Sequence, residues 1–427
     1  MSFDALLRSL RDLTHQGVVK RQAGDLTGAA QTVLECHTML AELDDDAVSE
    51  LGPELVPLRA EWALTSTLLG DEELALRGWE RTWDQAERFD LPAEAHQAAA
   101  AVAVVHALNG DRRYATMWLE RVNPSPDDPA APLASVARAS LALDELDYAQ
   151  AEHELALAEP LSTTERWATL AFVDARLAAM QGKDTSGMTR LRATCLAHYP
   201  KQWSGGANWQ LIDSATLILD RIESRSTRKD SRGSAVTEYA DLLIGLRAVE
   251  KDSPSTARTI AEDNLGRSPV SLRTTAGMQL LLAMTTPDED EAAALIDAAL
   301  ETIRSERIFY LLSKFTDDRI QSRATDHEEL IPYLADDYDP RTRQAALTKR
   351  EREILWYIAQ GYRFEQIAAA EYISVNTVKS HAKKLYRRID VNSRSSAARY
   401  AAANPGDPLP PADAATGTTT GTSTGTN

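Results

Sequence analysis

Residues 347–355 read Leu-Thr-Lys-Arg-Glu-Arg-Glu-Ile-Leu, followed by Ala-Gln-Gly at 359–361, Gln-Ile-Ala at 366–368 and Ile-Ser-Val-Asn-Thr-Val-Lys-Ser-His at 373–381. Thr348 and Glu351 form a Thr-x-x-Glu capping box, which predicts a helix start. Ile354, Leu355 and Ile358 give that helix a buried stripe, and Gly361 ends it. A short second helix is predicted near 364–370, with Ile367 and Ala368 facing inward, and a tight turn follows at 371–373. Ser374 is placed to cap a third helix reaching about Arg388. Ser393 is placed to cap a fourth, ending before Pro405.

The third helix sorts into two faces. Val378, Ala382, Leu385 and Ile389 recur at spacings of four, three and four and form its core side. The opposite side carries Asn376, Lys379, Ser380, Lys383 and Arg387. An apolar back with a basic front suits a helix laid into the major groove of DNA, as in a helix-turn-helix. Lys379, Ser380 and Lys383 are expected to reach base edges. Asn376, Thr377, Lys384, Arg387 and Arg394, with the helix N-terminus, are expected to hold phosphates.

The charge distribution supports that reading. The chain has 427 residues and a net charge of −18. Between Arg343 and Ala402 there are twelve Lys or Arg against five acids, so this segment is basic in an otherwise strongly acidic protein. One part is built for phosphate and the rest repels it. With 43% hydrophobic and 26% charged residues, the chain can bury two or three ordinary cores. It has no apolar run long enough for a membrane span and no secretory-type start, so a cytoplasmic location is expected. Cys36 and Cys195 do not make a metal-type pair, and the scattered histidines show no ligand spacing. No metal, cofactor or catalytic residue is expected, and the protein is read as not an enzyme.

Up to about residue 330 the chain is rich in Ala, Leu, Glu and Arg, with apolar residues at helical spacing. Val33, Cys36 and Leu40 show it, as do Met278, Leu281 and Leu282, and Leu295, Ile296, Ala299 and Ile303. Beneath this lies a repeat. Gly24-Asp25, Gly70-Asp71, Gly110-Asp111, Leu146-Asp147, Gly182-Lys183-Asp184 and Lys251-Asp252 each separate two helical stretches, and all but the Gly182 turn have a small residue a few positions on. These small residues are Ala29-Ala30, Ala75, Ala115, Ala149 and Ala257. The turns lie about 35 to 46 residues apart, with one gap of nearly twice that. The fold class is therefore all-α.

Two resemblances follow. The repeats resemble degenerate tetratricopeptide units, whose stacked helix pairs curve into a solenoid with a concave inner face. That resemblance implies a site for a peptide, a protein or a small ligand. The C-terminal block resembles the four-helix domain of LuxR-type regulators, through Leu347, Thr348, Arg350, Glu351, Glu353, Gly361, Ile367, Ala368, Ile373, Ser374, Thr377, Val378, Lys379, His381, Val391 and Arg394. It implies binding of double-stranded promoter DNA as a homodimer, with Ser393, Ala397, Ala398, Tyr400 and Ala401 of the fourth helix pairing across the two-fold. RNA polymerase is a possible further partner. Arg363, Phe364 and Glu365 depart from the usual small polar cap, and Glu365 would point toward a phosphate. There is no Gly-x-x-x-x-Gly-Lys-Ser/Thr, so no ATP hydrolysis is expected. No βα receiver pattern appears either.

The expected organisation is a helical-repeat sensor or interaction domain at 1–331, an acidic hinge at 332–342, the DNA-binding domain at 343–403 and a disordered tail at 404–427. A polar stretch at 222–234 is expected to be a loop dividing the repeats. The alternative reading is an interaction scaffold whose helix-turn-helix serves as a docking module. Trp356 is read as partly buried, with a docking role as the sharper option. Arg112-Arg113 is read as a solvated turn, with a ligand carboxylate contact as the other option.

Overall fold

A computed structural model describes residues 2–41, 43, 48, 50–123, 125, 127–198, 206–219, 235–266, 271–334, 349–371, 375–388 and 394–403. The described residues are helical, with no strand among them. They fall into two units, Met1–Tyr333 and Leu334–Asn427. The expected loop at 222–234, most of the acidic hinge and the C-terminal tail lie outside the described residues.

The first unit is a series of antiparallel helix pairs. They are α1 (Phe3–Gln22) with α2 (Leu26–Ala41), α3 (Leu55–Leu69) with α4 (Glu72–Arg88), and α5 (Pro92–Asn109) with α6 (Arg112–Leu119). Next come α7 (Ala131–Asp144) with α8 (Tyr148–Leu157), and α9 (Trp167–Met180) with α10 (Asp184–His198). After α11 (Gly206–Leu219) the series resumes with α12 (Ala235–Glu250) and α13 (Pro254–Leu265), then α14 (Leu272–Thr285) and α15 (Glu289–Glu306). The short helix α16 (Asp318–Ala324) and 3₁₀ turns at Phe309–Lys314 and Glu328–Tyr333 complete it.

All six turns read from the sequence hold a residue in the left-handed region. These are Gly24, Gly70, Gly110, Leu146, Gly182 and Asp252, with φ between 59° and 87°. Such a residue closes the first helix. In four of the turns the next residue is an Asp that caps the second helix: Asp25, Asp71, Asp111 and Asp147 accept from the N–H three residues on, at 2.8 to 3.1 Å. Four residues past each of these Asp stands a buried alanine, Ala29, Ala75, Ala115 or Ala151. Its small side chain lets the two helices approach closely. In the fourth turn the buried residue is Ala151, whereas Ala149, expected from the sequence, is exposed; the cap fixes the register at four residues.

Among the described residues, helix α11 stands outside the helix pairs and packs on α9, α12, α10 and α3. Helices α12 and α14 then lie against α5, and the 309–314 turn lies against α7. Ala98 to Val104 of α5 and Leu133 to Ala137 of α7 are continuously buried, so these stretches are covered on every side. Among the described residues, these stretches of α5 and α7 meet later helices of the same chain where the tetratricopeptide resemblance implies an inner face.

A buried ionic staple joins the two halves. Asp144, at the end of α7, accepts from Arg176 of α9 at 2.8 Å and from Arg273 of α14. Arg176 also donates to the Ser140 hydroxyl at 2.9 Å. Arg273 donates to the carbonyls of Ala107 and Leu108 at the end of α5. Arg273 thus meets the carbonyl end of α5, where the helix dipole favours positive charge.

Gly110 sits over this staple. A Cβ there would lie 2.8 Å from the Cβ of Arg273 and 3.2 Å from its backbone nitrogen, and φ is 75°. Gly110→Ala is expected to destabilise the unit by about 2–4 kcal/mol, from backbone strain and overpacking together. Urea unfolding followed by far-UV circular dichroism checks this. Loss of less than about 1 kcal/mol, below the cost of left-handed backbone alone, would contradict the close approach.

Candidate nucleic-acid interface

The second unit contains α17 (Lys349–Ala359), α18 (Phe364–Ala370), α19 (Val375–Arg388) and α20 (Arg394–Ala403). Its core is assembled from Ile354, Leu355, Tyr357 and Ile358 of α17, Ile367 and Ala368 of α18, Val378 and Leu385 of α19, and Ala397 and Ala401 of α20. Helix α19 therefore turns one stripe inward: Val378, Ala382 and Leu385 are each at most 1% exposed. Ile389, the fourth residue expected on that stripe, lies outside the described residues, as do Thr348, Ile373, Ser374 and Ser393.

The stripe fixes what α19 turns outward. At 100° per residue, positions 376, 380, 383 and 387 fall opposite the core, while 379, 384 and 377 flank them. Lys379 is exposed and His381 half-buried. The side chains of Asn376, Thr377, Ser380, Lys383, Lys384 and Arg387 lie outside the described residues, and their helix positions alone place them on this face. Helix α18 packs against α19, giving the two-helix geometry of a helix-turn-helix.

The turn before α18 is fixed by the backbone. Gly361 has φ 87°, and the Tyr362 N–H reaches back to the Tyr357 carbonyl at 3.0 Å, which closes α17. The departure at 363–365 finds its explanation here. The Gln366 side chain accepts from the Arg363 N–H at 2.8 Å, supplying half of a capping box that the sequence reading missed. Glu365 is exposed.

Residues expected at two sites make contacts within the domain. Ala397 and Ala401, expected to pair across a dimer axis, face inward and are part of the domain's own core. Ala398 and Tyr400 pack partly against that core as well. The outward surface of α20 is instead marked by Arg399, which donates to the Ser396 hydroxyl at 3.2 Å. Arg394, expected at a phosphate, donates to the Tyr362 carbonyl and lies 5.7 Å from the Phe364 ring centroid. It braces the start of α18. The late-arginine motif shows a residue's identity but not which way its guanidinium folds.

Trp356 is half-buried and meets Tyr357 edge-on, with ring centroids 5.2 Å apart. It packs against the core. Trp356→Ala is expected to lower the thermal stability of the protein by about 1–3 kcal/mol through lost packing. Differential scanning calorimetry checks this, and an unchanged melting transition would contradict a packing role.

The comparisons with known proteins agree with this geometry. The family model described as bacterial regulatory proteins, luxR family, matches residues 345–401. The response regulator protein VraR of Staphylococcus aureus strain Mu3 is 30% identical over 166 residues, covering 38% of this chain and 69% of that relative. VraR of strain MRSA252 matches to the same extent. The chain belongs to the bacterial LuxR family of regulatory proteins. As a LuxR-family member it carries a DNA-binding helix-turn-helix and acts as a transcription regulator. Its first unit is a helical-repeat region, with no strand among the described residues.

Proposed function

We propose that this LuxR-family protein binds promoter DNA as a homodimer, with α19 in the major groove of each half-site. Lys379, Ser380 and Lys383 read base edges, and Asn376, Thr377, Lys384 and Arg387 hold phosphates. The observation that carries this is the burial of Val378, Ala382 and Leu385, which turns the basic side of α19 away from the domain core. The region up to residue 331 receives a signal and the region from 343 to 403 contacts DNA. The signal shifts a pre-existing equilibrium between paired and unpaired reading helices. RNA polymerase is a natural further partner for such a regulator.

A salt titration of DNA affinity tests the electrostatic part. Of the four phosphate-holding side chains, Lys384 and Arg387 carry charge, so with both subunits bound log K is expected to fall with log salt at a slope of about −4. A slope near zero at constant pH would contradict phosphate contact by this face.

A further inference from the structure

A cleft of about 710 Å³ opens between α6 and the end of α15, a volume typical of small-molecule sites. Nothing in the DNA-binding reading uses it. One wall is a single face of α6, where Arg113, Thr116, Met117 and Glu120 recur at helical spacing. Glu306 and Arg307 form the other wall.

The charges in this cleft are unevenly matched. Arg112 and Arg307 share the Glu145 carboxylate, one guanidinium on each oxygen, and this tie fixes the end of α15 against the turn after α7. The Glu306 carboxylate accepts from the Arg113 backbone N–H at 3.2 Å and so caps α6. The Arg113 guanidinium is in a different state. It is exposed, lies 5.1 Å from the Tyr114 ring centroid, and feels the Asp111 carboxylate electrostatically but makes no close ion pair among the described residues. Seven residues along the same face, Glu120 is also exposed and also without an ion pair among the described residues. These positions are about 10 Å apart along the helix. Thr116 and the half-buried Met117 lie between them. A cation and an anion at opposite ends of a lined trough match a ligand of opposite polarity and similar length. An extended tripeptide has that length.

We propose that this cleft binds a short zwitterion of tripeptide length, its carboxylate on the Arg113 guanidinium and its ammonium on Glu120. The proposal deepens the reading of the repeat region as a signal receiver.

Calorimetric titration of the full chain with trialanine tests it. Saturable one-site binding is expected. N-acetyl-trialanine and trialanine amide should each bind at least about tenfold more weakly, since each lacks one charged end. Alanine, whose charges are too close together, should give no saturable binding. Arg113→Ala should erase the difference between trialanine and its amide, and Glu120→Ala the difference between trialanine and its N-acetyl form. Both positions are exposed, and an unchanged melting temperature confirms that each variant is folded. If either variant fails to fold, the blocked peptides on the unsubstituted protein still decide. Absence of trialanine binding, or equal affinity for the three peptides, would overturn the site. A parallel measurement of DNA affinity separates the two ideas. Binding of trialanine without any change in DNA affinity would support the cleft and sink the reading of it as the signal input.

Discussion

Asp144→Ala is expected to destabilise the protein by about 3–5 kcal/mol, the range for removing one partner from a buried ion cluster. Asp144 is 1% exposed, and both its partners, Arg176 and Arg273, are also buried. Removing the carboxylate leaves two guanidiniums close together in the interior without their shared counter-charge. Their bonds to Ser140 and to the Ala107 and Leu108 carbonyls remain, but these are neutral acceptors. Asp144→Asn keeps an acceptor in place and is expected to cost less than Asp144→Ala. Equilibrium urea unfolding of the three proteins checks the order. If Asp144→Ala unfolds at the same urea concentration as the parent, the staple does not hold the two halves together.

The second large effect concerns DNA. Lys379→Ala and Lys383→Ala are each expected to cost about 1–3 kcal/mol of sequence-specific affinity. The positions lie one turn apart on the outward side of α19, so the double variant should lose at least the larger single effect. Binding to unrelated duplex should fall much less than binding to the selected site, because base contacts carry specificity while phosphate contacts carry general affinity. Neither position is in the core, so the folded state should be unaffected. Fluorescence anisotropy on specific and scrambled duplexes separates the two losses. An equal drop on both would reassign these lysines to phosphates. No drop on either would favour the scaffold reading.

The helix pairs and the core stripe of α19 were legible because both are local. A left-handed residue, a capping Asp and a small residue four positions on are close neighbours in the chain. So are Val378, Ala382 and Leu385. What the sequence did not disclose is long-range. Arg273 meets Asp144 across 129 residues, and no periodicity records such a pairing. Helix α11 interrupts the repeat and has no hairpin signature. The turn between α14 and α15, through Thr286, Pro287 and Asp288, lacks both a glycine and a Gly-Asp pair, so that hairpin was missed. Asp288 nonetheless caps α15 through the N–H groups of Asp290 and Glu291 at 3.0 Å. On α20 the difficulty was composition. A run of small residues reads equally well as a pairing face or as a core face. Only the packing of α17 against it assigns Ala397 and Ala401 to the core.

The same distinction applies to the candidate ligand site. Arg112 and Arg113 are adjacent in sequence, yet their roles diverge. Arg112 is tied to Glu145, while the Arg113 guanidinium makes no close ion pair among the described residues. Their difference arises from Glu145, which follows α7 and holds Arg112 but not Arg113.

Selection of bound sequences from a random duplex library by the full-length protein tests the central claim most directly. A dyad motif is expected, with half-sites separated by a whole number of helical turns, and Lys379→Ala with Lys383→Ala should abolish its enrichment. Recovery of no enriched motif by the folded protein at low salt, or of the same motif by the double variant, would contradict DNA reading by this helix.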